Sequence, residues 1–107
     1  MEIAAGGNIF IRPNRLDKTG DKTAGHKHNF DHVTIICTGA IHVSATLSNG
    51  GKIERDFRAP AHCLIRADVS HEITAIEDNT VYWCCYAHRT PQGDVVQHET
   101  GWTDAYV

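Results

Sequence analysis

Short apolar runs alternate with turn residues about every eight to ten positions along the chain. Positions 8–12 form an apolar run that ends at Pro13. Positions 33–37 are rich in β-branched side chains, which fit a pleated, half-buried surface. Thr38-Gly39 punctuates that run, and positions 40–47 continue as a second strand. Ser48-Asn49-Gly50-Gly51 is the clearest hairpin turn, because Asn-Gly and Gly-Gly adopt positive φ at little cost. Positions 52–57 supply the partner strand, with Ile53 and Phe57 on one parity and charged residues between. Further strands are expected over 63–66, 71–76, 80–88 and 94–98, separated by Ala67-Asp68-Val69-Ser70, Glu77-Asp78-Asn79 and the turn from Thr90 to Asp94. The polar stretch 17–25 reads as a loop. Sustained helical periodicity is missing throughout. The pattern therefore predicts an all-β sandwich or barrel.

The length of 107 residues suits one small domain, with a barrel core over about 8–98 and a tail over 99–107 that carries Trp102 and Tyr106. The apolar fraction of 41% is enough for one core. A domain this small buries its surface incompletely, so a bound metal or a dimer interface would add stability. The formal net charge of -3, with no basic run, argues against a nucleic-acid partner. No apolar stretch approaches a membrane span, and the first residues lack the basic region and apolar run of a secretory leader. A reducing cytoplasm is the expected compartment. Cys37, Cys63, Cys84 and Cys85 form no C-x-x-C pair and read as reduced, largely buried side chains. Cys84 and Cys85 are adjacent, so they point to opposite faces of a strand.

Histidine occupies eight positions, and three of them form the run His26-Lys27-His28-Asn29-Phe30-Asp31-His32. Residues two apart in a strand share a face at about 6.5–7 Å. Two imidazoles at that spacing can converge on one ion at ~2.0–2.2 Å. His32 lies beyond a turn at Asn29-Phe30-Asp31 and can enter the site from the next strand. His71, which begins a strand directly after a turn, is the best candidate for a fourth ligand. His42 occupies a strand position that can line the barrel, whereas His62, His88 and His98 read as surface or hydrogen-bonded histidines. Thr34 and Ile36 share the parity of His32, and Ile73 and Ala75 that of His71; these residues are the expected pocket lining. Asp31, in the turn, can orient an imidazole from outside, while Glu72 faces away from His71.

The segment Gly20-x5-His26-x-His28-x3-His32-x6-Gly39 resembles the first cupin motif, G-x5-H-x-H-x3,4-E-x6-G. The second motif, G-x5-P-x-G-x2-H-x3-N, is matched more weakly by Cys63 to His71, with Arg66 for the proline, Asp68 for the turn glycine and Ala75 for the asparagine. The resemblance implies a small double-stranded β-barrel of the jelly-roll type. His32 stands where most cupins have glutamate, so it implies a variant whose metal ligands are His26, His28, His32 and His71. It also implies one divalent transition metal (Mn, Fe, Ni, Zn or Cu), a small-molecule substrate or ligand, and a homodimer. Neutral imidazoles leave the ion's charge uncompensated, which attracts anions and acidifies bound water. The expected activities are a dioxygenase-like oxidation or a Lewis-acid isomerisation or cyclisation. The alternatives are a non-catalytic ligand-binding module and a structural metal domain. The run from Tyr86 to Trp102 is faintly similar to the endings of small cupin-like proteins encoded by phages.

Overall fold

The structure, a computed structural model, describes residues 4–26 and 30–94. Its strands are β1 (Ala4–Gly6), β2 (Ile9–Leu16), β3 (Lys22–His26), β4 (His32–Thr38), β5 (Ala40–Thr46), β6 (Lys52–Arg58), β7 (Ala61–Ile65), β8 (Ser70–Ala75) and β9 (Thr80–Ala87). They form a five-stranded sheet in the order β1-β2-β9-β4-β7 and a four-stranded sheet in the order β3-β8-β5-β6. All pairings are antiparallel. After β2 the chain crosses between sheets at nearly every turn, the exception being the β5–β6 hairpin. This is a jelly-roll barrel. Among the described residues no helix is long and apolar enough to cross a membrane.

Period-two alternation builds the interior. In β4, His32, Thr34 and Ile36 are buried while Val33, Ile35 and Cys37 are exposed. In β8, His71, Ile73 and Ala75 are buried. The core joins these to Leu16, Ile41, Val43, Ile65 and Tyr82 from both sheets. The β5–β6 hairpin closes as its turn residues require: Gly50 has φ 86°, and the Gly51 N–H donates to Asn49 Oδ1 at 2.8 Å. At the corner between β4 and β5, Gly39 has φ 74° and packs against Thr80. Thr80 Oγ1 accepts from the Ala40 N–H at 3.2 Å and donates to the Glu77 carbonyl at 2.9 Å, tying the start of β9 to that corner.

Three features differ from the sequence expectation. The first long strand does not end at Pro13 but runs to Leu16, with Pro13 opposite Trp83. Among the described residues β1 pairs only with Ile9, Phe10 and Ile11, so Pro13 sits on an edge, where a missing N–H breaks no ladder bond. The stretch 17–25 is not all loop, since β3 begins at Lys22. Its pairing with β8 supplies order that its own composition does not signal. The short β1 was not expected, because Ala-Ala-Gly has no strand pattern. The strand expected over 94–98 lies outside the described residues except for Asp94.

Candidate metal centre

His32 opens β4 in the larger sheet and His71 lies near the start of β8 in the smaller one. Both are only 3% exposed, and their ring centroids lie 5.3 Å apart at 45°. His71 Nδ1 is 3.1 Å from the Val69 carbonyl oxygen. A carbonyl can only accept, so Nδ1 carries a proton, and in a neutral ring the lone pair then lies on Nε2. A backbone acceptor on one ring nitrogen is the usual support of a metal-binding imidazole.

The backbone of His26 stands directly opposite His71, after a register shift between Thr23 and His26. His28 lies outside the described residues, and of His26 only the backbone is described. Among the described residues no three His, Cys, Asp or Glu side chains gather into a metal-holding group; what they contribute is the His32–His71 pair. A buried imidazole pair, with the His71 tautomer set by Val69, fits an ion that takes nitrogen ligands.

Two polar contacts beside the pair are informative. Asp31 Oδ1 accepts the Ala67 N–H at 2.7 Å. It thereby ties the turn before β4 to the loop before β8, and so ties together the segments that carry the two histidines. The interaction recorded for Asp31 is thus with loop backbone and not with an imidazole. Glu72 faces outward as expected, with its carboxylate 3.6 Å from Lys22 Nζ.

A chain of aromatic rings leads away from His32. Phe30 meets it edge-on at 6.4 Å and lies 4.5 Å from Tyr86, which stacks on Phe10 at 4.5 Å. Sequence reading did not find Phe10 and Phe30 as part of this cluster. Phe10 stands in an ordinary apolar run and Phe30 in a turn, so neither carries a local signal.

Thr34, Ile36 and Ile73 are all fully or almost fully buried. Thr34 stands between Cys63 of β7 and Cys84 of β9 in register, and its Oγ1 lies 3.9 Å from Cys84 Sγ. Burial pushes the thiols of Cys63 and Cys84 up to about 11. Both are therefore thiols and not thiolates at neutral pH. Deeper in, the Tyr82 hydroxyl and Thr23 Oγ1 share a 2.5 Å hydrogen bond that joins the two sheets. Burial raises the Tyr82 phenol, with the Thr23 contact opposing.

His42 does not line the barrel. It lies on the outer face of the smaller sheet, with Nδ1 2.6 Å from Asp56 and Nε2 3.5 Å from Glu54. The hydrogen bond to Asp56 is the main cause that raises its pKa, aided by Glu54. The register explains the placement: His42 pairs with Thr74 and Asp56, both of outward parity. His62 is exposed, and His88 stacks on Phe10 at 6.3 Å.

No protein-family model matches the chain, and no curated protein does. Solved structures do. A Bacillus subtilis oxalate decarboxylase studied for its Mn(II) centres matches over 86% of this chain and 22% of its own, at 15% identity and a TM-score of 0.69. The same enzyme at pH 4.6 matches over 80% of this chain and 23% of its own, at 15% identity and a TM-score of 0.68. An oxalate oxidase matches over 73% of this chain and 40% of its own, at 15% identity and a TM-score of 0.64. The chain thus spans about a fifth of the decarboxylase and two fifths of the oxidase. Both are cupin-fold proteins, and the fold of this chain is the cupin double-stranded β-barrel.

Proposed function

We propose that this protein is a metal-binding cupin that acts on a small organic molecule. His26, His28, His32 and His71 would hold one divalent ion, drawn from Mn, Fe, Ni, Zn and Cu. The observation that carries this reading is the buried His32–His71 pair with its rings 5.3 Å apart and the His71 tautomer set by Val69. The Mn(II) centres of the structurally similar decarboxylase support a divalent ion in a barrel of this type.

A bound ion would supply Lewis-acid polarisation of a carbonyl or carboxylate and, if redox-active, electron transfer. The chain's own residues do the rest. The Val69 carbonyl holds the His71 ring in orientation. Phe30 lies against His32 and packs on Tyr86, which stacks on Phe10; this aromatic cluster would limit water on that flank. Thr34, Ile36 and Ile73 make the interior below it compact and nearly uncharged. Charge–dipole interactions are stronger in such a setting than in water.

Metal analysis of protein purified without added metal tests the reading. The wild type should hold close to one equivalent, and His71→Ala and His26→Ala should each hold under about a tenth of that. Equal metal content in all three sinks the proposal. Oxygen uptake or turnover with diketone or phenolic substrates then separates an enzyme from a non-catalytic module. Unfolding on chelation without turnover identifies a structural metal.

We also propose a homodimer through the outer face of the larger sheet. Ile9, Val33, Ile35 and Leu64 are 38–58% exposed there. Ile11 and Cys85 stand in register with Val33, and Trp83 stands in register with Ile35. A second copy would set apolar against apolar across this patch.

A further inference from the structure

We propose that the groove between β6 and β7 binds a small organic anion with an apolar body, its carboxylate paired with Arg55. The proposal rests on the reading of the barrel interior as the site of action, and it extends that reading to a ligand class.

β6 and β7 are the terminal strands of their sheets, so the barrel is open between them. The opening holds a cavity of about 560 Å³, within the range of small-molecule sites. Its inner wall adjoins the histidine pair. Ala45 is the ladder partner of His71, and Ile65 is the ladder partner of His32. Each is therefore one strand spacing, about 5 Å, from a candidate ligand. Ala45 and Ile65 thus stand between the groove and the two buried histidines.

The chemistry of the walls selects the occupant. Val43, Ile53 and Phe57 offer apolar surface, and Ile53 remains 48% exposed. Among the described residues the lining carries Arg55, Arg66 and His62 and no Asp or Glu, although the chain as a whole has a net charge of -3. Strand parity produces the segregation. Glu54 and Asp56 flank Arg55 in sequence, yet they face the other side of the sheet and engage His42. The Arg55 guanidinium carbon lies over the Phe57 ring, 5.3 Å from its centroid, and a guanidinium pairs readily with a carboxylate. Its field also reaches the Cys63 thiol across the groove.

The test uses the full chain and benzoate as the probe, with benzamide as the uncharged analogue. Amide chemical shifts are followed in titrations of chelator-treated and Zn(II)-loaded protein. Benzoate should shift resonances of Val43, Ile53, Arg55 and Cys63 in both forms and bind at least about tenfold more tightly than benzamide. Arg55→Gln should weaken benzoate about tenfold and leave benzamide unchanged, while Arg55→Lys retains part of the preference. A native-like amide spectrum of each variant shows that the fold is intact. Equal affinity for the two probes, an unaffected Arg55→Gln variant, shifts confined elsewhere, or no benzoate binding up to about 10 mM would each overturn the proposal. Failure of the metal reading looks different: a chain that takes up no metal but still binds benzoate at Arg55 keeps the groove and loses the ion.

Discussion

The two sheets share one interior but show opposite characters to the outside. The outer face of the larger sheet presents Ile9, Val33, Ile35 and Leu64. The outer face of the smaller sheet presents Lys22, Glu72, His42, Glu54 and Asp56, engaged in ion pairs such as Lys22–Glu72 and His42–Asp56. Both faces come from strands with the same alternating geometry, so the fold does not impose the difference. A polar outer face is what a half-buried sheet needs in water. An apolar one costs solubility unless something covers it. The contrast fits the proposed homodimer, in which the larger sheet is the covered wall, and the proposed ligand groove lies apart from both outer faces, at the β6–β7 seam.

The largest expected effect comes from breaking the corner where the chain passes from one sheet to the other. A Cβ at Gly39 would lie 2.8 Å from Thr80 Cα, at a backbone φ of 74°. Gly39→Ala should lose about 3 kcal/mol or more in urea unfolding, since overpacking adds to backbone strain. Gly50→Ala serves as the contrast, because φ is again positive but nothing lies within 4 Å. It should lose only about 1 kcal/mol.

The next effect addresses the outer faces directly. Ile35→Asp should weaken self-association by about 2 kcal/mol, roughly 30-fold, read as a fall to monomer mass by light scattering. Thr74→Asp, on the polar face, should leave the mass unchanged. Equal behaviour of the two variants would erase the functional meaning of the contrast.

Smaller still is the tie between the sheets. Tyr82→Phe removes the phenol that meets Thr23, with Tyr82 only 1% exposed. The expected loss is about 1 kcal/mol in urea unfolding.

The smallest effect concerns the polar outer face alone. The hydrogen bond to Asp56, with Glu54 beside it, raises the His42 pKa above its ordinary value. A raised folded pKa favours the protonated, folded form. The His42 contribution is therefore complete below the ordinary value of about 6.5 and lost as pH rises through the raised one. A proton NMR titration of His42 should show a midpoint above 6.5, and Asp56→Asn should move it down. An unmoved midpoint would mean that the ion pairs of this face are solvent-screened ornaments.

Much of the barrel was written locally. Alternation in β4 and β8 identified which residues face inward, and Asn49-Gly50 located the hairpin, because side-chain parity and positive-φ turns depend only on near neighbours. Pro13 and the stretch 17–25 misled, since edge position and pairing with β8 are properties of distant strands. His42 misled for a related reason. Parity says that a residue faces one side or the other, but which side is interior depends on how the sheets stack.

The histidine-rich run and its turn-preceded partner His71 were visible in the order of residues alone, as was the all-β class, because both rest on spacing along one chain. Tertiary structure alone decided that His32 and His71 lie ring to ring, that Phe30 packs against His32, and that Arg55 parts from its acidic neighbours to face a groove. The physical reason is that proximity between residues tens of positions apart is set by sheet order and packing, which no local pattern encodes.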